Sequence, residues 1–372
     1  NKDEIKVCYI GSVAETGNRN YPIHWGRTGD PIKISIYDHY GTSKVVAERL
    51  FVESGLKNWV ILRQSGILNP GLFHLIEPII FHVPLNDVLE WATVEDSGRL
   101  MLNLVLYDVK NKLPKEFWNR FYNIGSGEEY RLTNYQFYSL MYNYVGLGKL
   151  EPTFEPNWFT TKNFHGHYYL DGDLLDNYLH FRANIPLHDY LAETIKNVDL
   201  FFRIPSYIPF KSLVALVVKP IMKYLSGTKT VGTRTWIKTN DTNRLTAFYG
   251  SYNEFKKVPT KWSDFKLEFY NTSLSDGIKY KLNHGYNESK PLNELDLNDM
   301  KEAAKFRGGE IVSNKMIKGD LSTKLTWRCG HCGKTFEASP NLILLGGHWC
   351  PYCFIPEKKW DYDSIAKQNP FF

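Results

Sequence analysis

The chain reads as an α/β protein with a small cysteine-rich tail. Three observations carry that reading. β-rich runs alternate with a helical run between residues 6 and 71. Loops rich in Gly, Ser and Pro follow those runs. Two Cys-x-x-Cys pairs lie near the end of the sequence.

Lys6-Val7-Cys8-Tyr9-Ile10 is the first β-rich run, and it leads into a loop, Gly11-Ser12-Val13-Ala14-Glu15-Thr16-Gly17. Tyr40-Gly41-Thr42-Ser43-Lys44 then opens a helical run with Val45, Val46, Leu50 and Phe51 at helical spacing, stopped by Gly55. Trp59-Val60-Ile61-Leu62 has the composition of a buried strand, and the turn Ser65-Gly66-Ile67-Leu68-Asn69-Pro70-Gly71 follows. In an open α/β sheet, ligands bind at the carboxyl ends of the strands, where these loops lie. Tyr40 and Lys44 are four residues apart, so their side chains leave one face of a helix. A cation beside a phenol favours the phenolate and equips a tyrosine for acid–base work. The competing reading of this pair is an exposed helix start. Farther on, Asp96 to Tyr107 predicts a buried helix, and Thr133 to Tyr144 a helix with an N-cap threonine.

Serine, tyrosine and lysine in this order, in a strand loop and a helix start, give residues 5 to about 200 a resemblance to the extended short-chain dehydrogenase/reductase family. That family includes NAD-dependent epimerases and dehydratases. Phe121-Tyr122-Asn123-Ile124-Gly125-Ser126-Gly127 resembles its later strand and turn, and Arg63 with the 65–71 loop resembles the segment passing the nicotinamide. The resemblance implies that Tyr40 exchanges a proton with the substrate oxygen. It implies that Lys44 assists Tyr40 and bonds the nicotinamide ribose, and that Ser12 holds the substrate. It places Ser65, Gly66 and Ile67 with Tyr40 and Lys44 at an NAD or NADP cofactor, which supplies the hydride chemistry. Substrate contacts are expected from the aromatic, polar stretch 163–171, with His165 and His167 as candidates that share a face if the stretch is a strand. Ordinary core or surface histidines are the alternative.

Two departures qualify the resemblance. Thr16 stands where the family often has tyrosine. No segment carries the Gly-rich fingerprint that should follow a first strand and cradle the pyrophosphate. The expected architecture is therefore the C-terminal half of a Rossmann-type doubly wound sheet with its substrate-binding part, over residues 1–204. The alternative is a family member that binds no dinucleotide. A half sheet would leave an open strand edge.

Composition agrees with a globular protein expected in the cytoplasm. The 372 residues are 43% hydrophobic and 23% charged, with a formal charge of +5 that does not by itself argue for nucleic acid. No signal peptide is visible. The longest apolar run, Leu213 to Val218, is too short to span a bilayer. Lys211, Lys219 and Lys223 flank it. The preferred reading is a helix docked on the reductase-like part, and the alternative an amphipathic helix on a membrane surface.

Residues 205–290 are expected to form an aromatic-rich α+β region, with strand-like alternation at Thr233 to Thr239 and Leu245 to Tyr252. Residues 291–372 form the tail, with a linker at 291–297 and a helix to Phe306. Cys329-x-x-Cys332 and Cys350-x-x-Cys353 are 17 residues apart, a spacing that fits a closed four-thiolate zinc site. Two disulfides or a rubredoxin-like iron are the alternatives. The segment 303–353 resembles a zinc-ribbon or treble-clef module that in some proteins accompanies nucleic-acid-binding domains. From Lys301 to Phe372 there are 11 Lys/Arg and 7 Asp/Glu, a difference of +4 that supports nucleic acid only weakly.

Two functions from different classes follow. The first is an NAD(P)-dependent oxidoreductase or epimerase with a structural zinc module, a small-molecule substrate and a homodimer as an allowed assembly. The second is a non-catalytic binding or regulatory protein that reuses the reductase fold, its zinc module contacting nucleic acid or a protein.

Overall fold

A computed structural model describes residues 2–17, 19, 24–74 and 76–353. Three parallel strands organise it: β1 (Lys6–Ser12), β2 (Asn58–Gln64) and β3 (Arg120–Ile124), in the order β1-β2-β3. Ser12 lies opposite Gln64, and Gln64 opposite Ile124, so the strand ends and their loops converge. β2 is central and buried along Trp59–Arg63, as its unbroken apolar run predicts. β1 is an edge strand with Lys6 and Ile10 exposed.

Strand alternation divides the core. Val60, Leu62, Tyr122 and Ile124 face one layer, packed on α2 (Val94–Val109) and a later helix at Gly172–Leu179. Trp59, Ile61 and Phe121 face the other. Helix α1 (His39–Val52) contributes Val52 to that second layer, and the tail fills most of the rest. Helix α3 (Asn134–Tyr144) starts at Thr133, whose hydroxyl accepts from Gln136 N while the Gln136 side chain returns to Thr133 N.

Two expectations need correction. α2 is not a buried helix: it buries Leu100 and Leu104 but exposes Leu102, Val105 and Val109, because only one layer covers it. Residues 205–290 form helices joined by loops, and no strand occurs there among the described residues. Thr233–Lys238 and Thr242–Tyr249 are helices. The second is capped by Asp241, which accepts from Arg244 N, and it ends at Gly250, whose φ of 93° few other residues tolerate. Local caps and packing of Trp236, Leu245 and Phe248 into one cluster outweigh the β-prone composition.

Helix α4 (Lys211–Ser226) docks on the body through Val214 and Met222. No helix among the described residues is long and apolar enough to cross a membrane.

The tail is built into the sheet. Helix α5 (Leu297–Phe306) supplies Met300, Ala303 and Ala304. A small antiparallel sheet follows, of β4 (Gly309–Ile311), β5 (Leu325–Cys329) and β6 (Thr335–Ala338). Trp327 and the turn Leu342–Leu344 complete the layer over Trp59, Ile61 and Phe121. The approach is close: a Cβ on Gly346 would sit 2.6 Å from the Phe121 ring.

Candidate active site

β1 ends at Ser12, which has extended backbone and caps a short turn at Val13–Glu15. Ser12 Oγ accepts from Ala14 N at 3.2 Å, and Ser12 N donates to Glu15 Oε1 at 2.8 Å. The serine is 7% exposed. Asp38 caps α1 by accepting from Gly41 N at 2.7 Å, which sets the first helical turn carrying Tyr40. Tyr40 is 55% exposed. Lys44 Nζ lies 5.6 Å from the Tyr40 ring centre and 5.3 Å from that of Tyr9, and it donates to Ile10 O at 2.9 Å. The helical spacing thus brings Tyr40 and Lys44 together, over the edge strand. Among the described residues no hydrogen bond joins Ser12 to either.

A cavity of about 240 Å³ lies beside these loops. Its lining includes Val13, next to Ser12, Gly66 and His165, with Trp91 and Phe137 as apolar walls. Ser12, Tyr40, Lys44, Ser65, Ile67 and His167 are not part of the lining. Ser65 Oγ instead donates to Glu90 O, and Ile67 pairs with Ala92 in a two-stranded parallel ladder. Those contacts fix the 65–67 loop. Gly66 has no room for a side chain, since a Cβ would fall 2.7 Å from the Trp91 ring.

The two histidines part company, because residues 163–167 form a loop and not a regular strand. His165 faces the cavity, with Nδ1 3.5 Å from Asp38 Oδ2. His167 is fully buried, with Nδ1 3.2 Å from Thr16 Oγ1. Burial, helped by the Arg19 charge, pushes its pKa down to about 3, so it is a neutral core histidine.

Sequence reasoning missed Asp87. It lines the same cavity, is 2% exposed, and neither carboxylate oxygen has a hydrogen-bond partner. Burial pushes this carboxyl well above the usual range. A lone aspartate gives no such signal in sequence, because burial is a tertiary property.

Arg63 lies near the carboxyl end of β2. It is fully buried and ties the strand end to α1 and the tail. Its Nη2 is 2.7 Å from Glu48 Oε1 and donates to Gly346 O at 2.6 Å, and its Nε is 3.7 Å from Glu15 Oε2. His348 Nε2 lies 2.6 Å from the same Glu48 oxygen. The Arg63 charge holds Glu48 well below the usual carboxylate range although burial opposes it. Burial and the Glu48 charge push Glu15 up, so one carboxylate of the pair carries the charge.

The four tail cysteines converge. Cys329 and Cys353 sulfurs are 3.8 Å apart, Cys332 and Cys350 sulfurs 3.6 Å, and all four lie within 4.8 Å of one another. No disulfide joins them. Such a group could hold a metal ion. A tetrahedral ion with bonds of about 2.3 Å requires sulfur–sulfur edges of about 3.8 Å.

No protein-family model matches the chain, and no curated protein does. Solved structures do show similarity. MoeE5 in complex with UDP-glucuronic acid and NAD is 15% identical over 52% of this chain, with a TM-score of 0.39. The dTDP-glucose 4,6-dehydratase of Bacillus anthracis in complex with NAD is 18% identical over 52%, with a TM-score of 0.38. The UDP-glucose 4-epimerase of Thermotoga maritima with UDP-glucose is 16% identical over 52%, with a TM-score of 0.38. The aligned part spans 64%, 61% and 63% of those chains respectively. Over about half its length the chain is thus similar in fold to these structures, and its tail carries a four-cysteine cluster that could hold a metal ion.

Proposed function

We propose that this chain contributes the proton-transfer side of an NAD(P)-dependent oxidoreductase or epimerase of the extended short-chain dehydrogenase type. The observation that carries the reading is the Tyr40–Lys44 pair at the carboxyl end of a parallel sheet, with the Lys44 ammonium 5.6 Å from the phenol ring. Tyr40 accepts or donates the proton of a substrate hydroxyl or carbonyl. Lys44 places its positive charge 5.6 Å from the centre of the Tyr40 ring. Ser12 has one hydroxyl proton left to give, because its oxygen only accepts within the cap, and it orients the substrate oxygen. The nicotinamide supplies the hydride chemistry when bound. Tyr40, which is exposed, Lys44 and the 65–67 loop are the residues that would hold the ribose and nicotinamide end of that cofactor. His165, held by Asp38, is the residue of the loop 163–167 best placed to meet a substrate in the adjoining cavity.

The cysteine cluster is proposed to hold a structural zinc ion. Four thiolates leave no open coordination position, and Cys329 and Cys350 are buried in the same core as the sheet residues Trp59, Ile61 and Phe121. Metal analysis of purified protein distinguishes zinc from iron.

The test of the catalytic reading is Tyr40→Phe in the natural full-length protein, assayed by NAD(P)H absorbance or product epimer ratio. Loss of the acid–base group lowers turnover on the order of 100- to 10,000-fold. Full turnover in Tyr40→Phe would sink the proposal.

A further inference from the structure

Residues 200–224 present an apolar surface that the fold does not use. Helix α4 is apolar on two sides. One stripe, with Val214 and Met222, is packed on the body, while Leu216 and Val217 point outward at 71% and 65% exposure. The preceding turns expose further apolar side chains, Phe201 at 73%, Tyr207 at 72% and Phe210 at 67%. A helix that buries one stripe needs no second one for folding, and Leu213, Leu216, Val217 and Tyr224, at helical spacing and more than half exposed, form such a second stripe, as at an interaction site.

The charge around it is one-sided. From Leu200 to Asn240 the chain has seven Lys/Arg and no Asp or Glu. An open groove of about 990 Å³ runs beside α4, and its lining includes Lys149, Lys211, Lys219 and Lys223 with Leu147 and Leu216. Lys219 reaches one carboxylate, Glu155, at 3.4 Å. Exposed rings and aliphatic side chains among lysines match an interface that is apolar inside and anionic at its surface.

We infer that this face docks on a bilayer surface containing anionic lipid, with α4 lying in the interface. Spanning is excluded for α4 by length: 16 residues rise about 24 Å, less than the roughly 30 Å of a hydrocarbon core. A second copy of the chain fits less well. A two-fold contact would set this face against itself and bring lysine against lysine. A nucleic acid would match the lysines and leave the exposed leucine and phenylalanine side chains without partners.

The experiment is flotation of the full chain with two kinds of vesicle. One is pure phosphatidylcholine, the other contains about one-third phosphatidylserine. The protein should float with the anionic vesicles, less so at high salt, and not with the neutral ones. Lys211→Ala/Lys219→Ala/Lys223→Ala should weaken partition on the order of 100-fold. Leu216→Glu/Val217→Glu should abolish it with no change in circular dichroism or melting temperature, since both side chains are exposed. Equal recovery with neutral and anionic vesicles, or undiminished binding by either variant, overturns the inference. So does sedimentation showing a dimer that Leu216→Glu/Val217→Glu dissolves while vesicles capture nothing, because the face then belongs to a second copy.

Discussion

If the four cysteines hold the proposed zinc, removing it should unfold the parallel sheet and not only the tail. Trp59, Ile61 and Phe121 form one face of the sheet, and their cover comes largely from Met300, Ala303, Trp327 and the 342–344 turn. Burying a large apolar side chain contributes about 1.5–3 kcal/mol, so these three depend on the tail for roughly 5–9 kcal/mol. A whole domain is stable by only about 5–15 kcal/mol. A structural four-thiolate zinc contributes about 10–16 kcal/mol to the fold that holds it, so its loss undoes the tail. Arg63 loses its Gly346 carbonyl and Glu48 its His348 partner in the same event. The perturbation is Cys350→Ser or a strong chelator. The assay is thermal melting followed at once by far-ultraviolet circular dichroism and tryptophan fluorescence, with limited proteolysis. The expected outcome is coincident loss of both signals and no stable fragment. A protease-resistant, cooperatively melting fragment ending near Asp296 would refute the reasoning, because the sheet would then stand without its cover.

Two further outcomes test the buried charges. Arg63→Met leaves Glu48 in the core with its cation removed, and should cost about 3–5 kcal/mol at neutral pH by urea unfolding. Arg63→Met/Glu48→Gln should recover most of that, and a loss in Arg63→Met below about 1 kcal/mol would show that the pair contributes little. His167 gives a pH signature. Its folded pKa of about 3 is below the unfolded value of 6.5, so the unfolded chain takes up the proton first as pH falls. Stability held above pH 6.5 is therefore lost as pH drops toward the folded pKa, by up to about 1.4 kcal/mol per pH unit for one group. The slope of stability against pH between about 6 and 4 should be shallower in His167→Gln than in the wild-type chain. Equal slopes would mean that His167 is protonated in the folded state.

Several elements were legible because their signals are local. The buried strand at 59–62, the Thr133 cap and the helix that sets Lys44 beside Tyr40 rest on neighbours within a few residues. Thr233 to Thr239 and Leu245 to Tyr252 alternate like strands, since Thr, Trp, Ile and Tyr favour β structure in short runs, yet helices Thr233–Lys238 and Thr242–Tyr249 form there. Asp241 and Gly250 were the cap signals that could have corrected the second of them. His165 and His167 looked equivalent in sequence. Only the loop path separated one facing the cavity from one buried against Thr16.

By itself the sequence determined the parallel α/β core, the Tyr40–Lys44 face and the four-cysteine spacing. Each depends on helix period, strand composition or loop length, which are properties of contiguous residues. Tertiary structure decided the rest. It packed the tail onto Trp59, Ile61 and Phe121, enclosed Arg63 between Glu48 and Gly346, and buried Asp87 beside a cavity. It also turned the outer stripe of α4 to solvent. Those outcomes depend on which distant surfaces meet, and burial, desolvation and ion pairing take their value only once they do.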